Sequence, residues 1–169
     1  MPTISSSAFA VLAAGLLAAT VIDIRTRRIP NLLTAGMAAA GVALAALGAS
    51  DISIAGAMLG FLIGLLLMVP GHALGATGAG DVKLMAAVGA IVGPNAVIAA
   101  FLFTAITGGV LAVLVAMRRG RLIATLSGTG RLIAAPGEAK RTIEAPARAN
   151  RFAYGPAIAV GSMLAMVLR

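Results

Sequence analysis

The chain has 169 residues, of which 60% are hydrophobic and 11% are charged, and its mean hydropathy is +1.06. A soluble domain carries about 25% charged residues, so this composition excludes the soluble class and indicates an integral membrane protein. Cysteine is absent and His72 is the one histidine, which excludes disulfides, thiolate metal sites and histidine-rich metal clusters.

Six apolar segments follow one another, and we predict that they form an all-α, polytopic membrane helix bundle within a single domain of residues 1–169. A spanning helix needs about 20 mainly apolar residues. The predicted helices lie at about residues 6–24, 32–49, 53–70, 82–93, 95–117 and 152–168. The fourth is short, since about 12 residues cover about 18 Å of a hydrocarbon core of about 30 Å. Either the preceding loop enters the membrane, or this helix spans only part of it.

The basic residues predict the orientation of the bundle. No Lys or Arg precedes the first apolar run, so we take that run as a retained helix rather than a cleaved signal peptide. Twelve of the thirteen Lys and Arg residues fall on the side where the first helix ends, and only Arg169 falls on the other. The positive-inside rule therefore places the N-terminus outside and the end of the first helix in the cytoplasm.

The net charge of +8 is explained by this topology and by contact with anionic lipid. Nucleic acid is not expected as a partner, because aromatic residues that stack on bases are scarce. Residues 118–150 are predicted to form a basic cytoplasmic loop. An amphipathic helix on the membrane surface and a simple tether are the two interpretations of this loop.

A row of small residues marks the third predicted helix. Gly56, Gly60 and Gly64 recur at a spacing of four residues, and such a row lets another helix approach closely. Packing inside the bundle is one interpretation, and a homo-oligomer formed through this face is the other.

Asp23 and Asp81 are two of only five acidic residues, and both lie where an apolar segment meets water. Ionisable groups at such depths are costly, which makes them functional candidates. Taken singly, Asp23 could pair with a neighbouring arginine, and Asp81 could cap a helix beginning at Val82. Together they could hydrolyse a peptide bond without a metal or another cofactor, one carboxylate activating water and the other protonating the leaving amine.

The residues around Asp81 suit a site of this kind. Gly78 and Gly80 permit unusual backbone angles and close approach of another segment. Lys83 is expected to pair with a carboxylate or a lipid phosphate, or to extend to the membrane interface. Asp81 itself stands where a phosphate-binding loop requires lysine, so nucleotide binding is not expected.

Two further features are predicted near the membrane surface. Pro30 prevents one helix from running through the first two segments, and Asn31 is expected to cap the second helix or to bond locally. His72 is interpreted as a solvated loop histidine.

Three segments together resemble the type IV prepilin peptidases, which are GxGD-type aspartic membrane proteases that remove the leader peptides of prepilins. These segments are Asp23 with RIPN at 28–31, GAGDVKL at 78–84, and YGPAIA at 154–159. The resemblance extends over about residues 8–168. It implies that Asp23 and Asp81 are the catalytic aspartates and that Gly78 and Gly80 are the motif glycines. Pro30, Asn31, Tyr154, Gly155 and Pro156 are then candidates for structural support of the site.

The larger members of that family carry a zinc-binding domain with paired CxxC motifs and also methylate the new N-terminus. This chain has no cysteine, so it looks more like the short, peptidase-only members that serve Flp (tight-adherence) pili. The implied substrate is a prepilin with a short basic leader and a hydrophobic helix, cut at the cytoplasmic face of a bacterial or archaeal inner membrane. The alternatives are another GxGD protease that cuts signal peptides, and a small proton-coupled transporter.

Overall fold

Each apolar segment forms a helix whose ends are set by the residues that flank it. The computed structural model describes residues 5–118 and 154–168, and these residues are all-helical, which confirms the predicted fold class. The helices are α1 (Ser6–Thr26), α2 (Asn31–Ala46), α3 (Ile54–Ala73), α4 (Ala79–Val92), α5 (Pro94–Arg118) and α6 (Gly155–Val167). The predicted loop of residues 118–150, apart from Arg118, lies outside the described residues.

Serine begins two of these helices and glycine ends two. The hydroxyl oxygens of Ser5 and Ser53 accept backbone N–H bonds in the first turns of α1 and α3, which satisfies donors that a helix start leaves unpaired. Gly48 and Gly75 follow α2 and α3 with φ of 65° and 76°. This left-handed backbone is accessible to glycine at little cost, so both helices stop there.

The helices differ in whether they can cross a bilayer. Three segments, Ser6–Thr26, Ile54–Ala73 and Pro94–Val115, are long and apolar enough to do so, and they indicate a membrane protein. The predicted short fourth helix is confirmed, because α4 has 14 residues and rises about 21 Å. The helices α2 and α6 have 16 and 13 residues. The second helix is thus shorter than the predicted 32–49, because the chain turns at Gly48.

The short α4 is the central helix of the bundle. It packs against α2, α3, α5 and α6, and every residue from Leu84 to Val92 is buried. Its neighbours approach so closely because they present glycine. A Cβ on Gly60 would collide with the carbonyl oxygen of Gly89, and one on Gly64 would lie 2.5 Å from the carbonyl oxygen of Met85.

The glycine row of α3 therefore serves packing inside the bundle at two of its three positions. A Cβ at the third position, Gly56, would meet only Ile52 and Ser53, both at an ordinary 3.5 Å. A homo-oligomer formed through this face remains a prediction. The contacts with α4 also set the register of two antiparallel helices, with Gly60 beside Gly89 and Gly64 beside Met85.

Candidate active site

Asp23 lies in the last turn of α1 and touches the beginning of α6. Its side chain is 5% exposed, and its Oδ2 accepts a hydrogen bond of 2.9 Å from the backbone N–H of Gly155, which is 132 residues away. A Cβ on Gly155 would lie 2.8 Å from that oxygen. Glycine at this position thus gives the carboxylate room to reach the first N–H of α6.

Asp81 lies in the first turn of α4, at its third residue. The prediction that residues 78–81 form a loop and that a helix begins at Val82 is wrong, because α4 begins at Ala79. The reason is that the Asp81 Oδ2 accepts a hydrogen bond of 2.8 Å from the N–H of Gly78. This bond satisfies a donor at the helix start and extends the helix by three residues. A carboxylate in a first turn is also stabilised by the helix dipole.

Each motif glycine leaves space for a different neighbour. A Cβ on Gly78 would lie 3.1 Å from the Asp81 Oδ2, so this glycine makes room for the carboxylate. A Cβ on Gly80 would lie 3.1 Å from the Cβ of Ile29, in the segment between α1 and α2. The second glycine therefore lets that segment pack against the start of α4.

A polar contact joins the same two segments. The Lys83 Nζ donates a hydrogen bond of 2.8 Å to the Asn31 Oδ1, and both side chains are exposed. Pro30 precedes α2 with φ of −64° and provides no side-chain cap. The predicted local or capping bond of the Asn31 side chain is thus replaced by a contact with α4, because the first turn of α2 lies beside that of α4.

Tyr154 and Gly155 lie at the start of α6. Burial raises the pKa of the Tyr154 phenol above its ordinary value of 10.0, and the negative charge of Asp81 raises it further. The next residue, Gly155, bonds to Asp23. Pro156 is the second residue of α6, where the lack of an N–H costs nothing. The start of α6 thus contacts Asp23, and α6 also packs against α4, the helix that carries Asp81.

Asp23 lies within α1, and Asp81 lies beside α3, in both cases several residues before the end of that helix. Asp23 is three residues before the end of α1. If the register of α3 and α4 is continued, Asp81 lies opposite Met68, five residues or about 8 Å before the end of α3. Arg25 and Arg28, in contrast, are exposed. Asp23 is thus buried next to exposed basic residues at the end of α1.

Two residues that pack against the candidate site were not predicted from the sequence. Ile29 backs Gly80, and Gly108 of α5 lies under the Tyr154 ring, where a Cβ would be 2.7 Å from a ring carbon. The sequence offered a weak signal for the second, since Gly108 and Gly109 are adjacent in α5. Among the described residues, no group of three or more His, Asp or Glu could hold a metal ion.

Comparison with known proteins gives one match. A sequence model of the type IV leader peptidase family matches residues 10–113, more than half of the chain. This range contains Asp23 and Asp81 and ends before Tyr154 and Gly155. Searches of curated proteins and of solved structures gave no match.

Proposed function

The chain belongs to the type IV leader peptidase family, and we propose that it is an aspartic prepilin peptidase whose catalytic residues are Asp23 and Asp81. Family membership makes it a protease of the prepilin leader-peptidase type. The observation that carries the finer assignment is the burial of both carboxylates, with Asp23 bonded to the first residue of α6 and with α1 and α6 both packed against α4, which carries Asp81. Burying two acidic groups is unfavourable in free energy, which favours a functional role for both.

The chemistry needs two carboxyl groups that hold one proton between them. The ionised carboxylate accepts a proton from water, and the resulting hydroxide attacks the scissile carbonyl carbon. The partner carboxylic acid donates a hydrogen bond to the carbonyl oxygen and then gives its proton to the departing amine, while the first carboxyl keeps the proton taken from water. Backbone N–H groups of Gly155 and Gly78 anchor Asp23 and Asp81 through one oxygen each. These anchors fix the orientation of both carboxylates without supplying a competing acid.

The substrate we propose is a prepilin of the Flp type, with a short basic leader and a hydrophobic helix. That helix would lie along the bundle, and its extended end would reach the buried aspartates. The excess of basic residues on the side where α1 ends supports a site at the cytoplasmic face of a bacterial or archaeal inner membrane, with the N-terminus outside. Anionic lipid headgroups would neutralise the exposed arginines.

The test is cleavage of a synthetic prepilin by the purified protein in detergent, with the cut site read by mass spectrometry. Asp23→Asn and Asp81→Asn change the carboxylates to amides of the same shape, and each is expected to abolish cleavage. Asp51→Asn is the matched control, because Asp51 is exposed in the segment between α2 and α3, and it should retain full activity.

Cleavage retained by either catalytic-site variant would refute the assignment. Circular dichroism must show that each variant keeps its helices, so that inactivity is not a folding defect. A cut inside a membrane helix or a signal peptide, rather than after the leader, would instead identify a different GxGD-type protease.

A further inference from the structure

The segment between α3 and α4 folds back onto the last turn of α3. Gly75 adopts φ of 76°, its N–H donates to the carbonyl of His72, and the N–H of Ala76 donates to that of Gly71, both at 2.9 Å. This pair of bonds is the Schellman arrangement that ends many helices. The N–H of Thr77 also donates to Gly71, at 3.3 Å. The segment that delivers Gly78 to Asp81 is thus a defined turn.

His72 holds this turn from outside. Its Nδ1 lies 3.0 Å from the carbonyl oxygen of Thr77. A carbonyl oxygen can only accept, so the Nδ1 atom must carry the hydrogen, either in the neutral Nδ1–H tautomer or in the imidazolium ion. The sequence pattern predicts a solvated loop histidine, whereas His72 lies in the last turn of α3. Its side chain is indeed exposed, yet it makes a specific hydrogen bond.

The carbonyl of Thr77 and the N–H of Gly78 belong to one peptide unit. His72 bonds to its oxygen, and Asp81 bonds to its N–H at 2.8 Å. Because the peptide is planar, a partner at each end fixes the direction of the N–H. A donor on the carbonyl also polarises the unit and strengthens the bond made by the N–H.

We propose that His72 is a positioning residue for Asp81, acting by holding the Thr77–Gly78 peptide so that its N–H is aimed at the carboxylate. The proposal rests on the proposed function, in which Asp81 is catalytic. It assigns His72 no contact with the substrate and no part in proton transfer.

Three variants at position 72 separate this role from a general structural one. His72→Asn keeps an N–H donor at the same number of bonds from Cβ as Nδ1, and His72→Leu has nearly the shape of Asn without a donor. His72→Leu should lower kcat about fivefold, the effect of an ordinary hydrogen bond, and leave KM unchanged. His72→Asn should restore most of the activity, whereas His72→Asp, which places an acceptor against the carbonyl, should be the least active.

A second measurement does not depend on turnover. Hydrogen exchange of the Gly78 amide should be about fivefold faster in His72→Leu than in the wild type and in His72→Asn. Wild-type activity with unchanged exchange in His72→Leu overturns the proposal, as does an Asn variant as impaired as the Leu variant. If Asp81→Asn still cleaves, the proposed function itself fails. An inactive Asp81→Asn beside a fully active His72→Leu rejects the role of His72 alone.

Discussion

Replacing Gly155 by alanine tests the contact between α6 and Asp23 with a single added methyl group. The new Cβ would lie 2.8 Å from the Asp23 Oδ2 and 3.1 Å from its Cβ. The shortest ordinary contact of a Cβ is about 3.4 Å, so the two groups must separate by about 0.6 Å. Both the oxygen and the Cβ of Asp23 are in the way, so rotating the carboxylate alone does not relieve the contact.

The helix α6 is held in place by α5, which directs the displacement to Asp23. A Cβ on Gly161 would collide with the backbone of Thr104, so the two helices already touch there. One turn nearer the site, the hydroxyl of Thr107 lies 3.1 Å from the carbonyl oxygen of Ala157. Misplacing a catalytic group by about 1 Å can lower the rate about a hundredfold. A shift of about half that distance should lower kcat at least about tenfold.

The assay is prepilin cleavage by purified Gly155→Ala protein, with thermal unfolding followed by circular dichroism. Gly109→Ala is the matched control, because it makes the same chemical change in a helix where a Cβ meets nothing within 4 Å. We expect Gly109→Ala to match the wild type in rate. A Gly155→Ala enzyme with wild-type kcat would show that the position of Asp23 against α6 does not matter for catalysis.

Two other substitutions probe stability rather than rate. Gly60→Ala forces a methyl group into the backbone of Gly89 and should lower the free energy of unfolding by about 1–3 kcal/mol. Gly56→Ala is the control, because its methyl group would make only ordinary contacts, and it should change the free energy of unfolding little. Equal effects of the two variants would contradict the packing argument. Tyr154→Phe tests the raised pKa of the phenol. Because the folded state disfavours the ionised phenolate, the contribution of Tyr154 to the stability of the fold is fully present below about pH 10 and is lost as the pH rises through the raised pKa. Unfolding temperatures compared from about pH 8 to pH 11 should therefore fall less in Tyr154→Phe than in the wild type, and parallel curves would refute the shift.

The helices could be predicted from the sequence because each is a continuous apolar run, and Pro30 separates the first two. The start of α4 could not. A glycine followed by an aspartate fits both a helix cap and a first-turn residue, and the choice depends on whether Asp81 bonds back to Gly78. The structure makes that bond, so the helix begins at Ala79 instead of Val82.

Contacts between distant residues were beyond any pattern in the sequence. The bond from Gly155 to Asp23 joins residues on α6 and α1, and no periodicity predicts which N–H a carboxylate will meet. The contacts of the adjacent residues Gly108 and Gly109 could not be predicted either. Either could pack against another segment, yet a Cβ meets Tyr154 at the first position and nothing at the second. Only the rotation of α5 relative to α6 decides between them.

The central position of α4 has a consequence for how the protein enters the membrane. This helix has 14 residues and carries Asp81 and Lys83, each of which opposes transfer of an isolated segment into lipid by about 3 kcal/mol. Alone it would partition into the bilayer poorly, so we expect it to insert together with α3, against whose glycines it lies. A side chain added at Gly60 is then expected to disturb membrane insertion as well as the stability of the folded bundle.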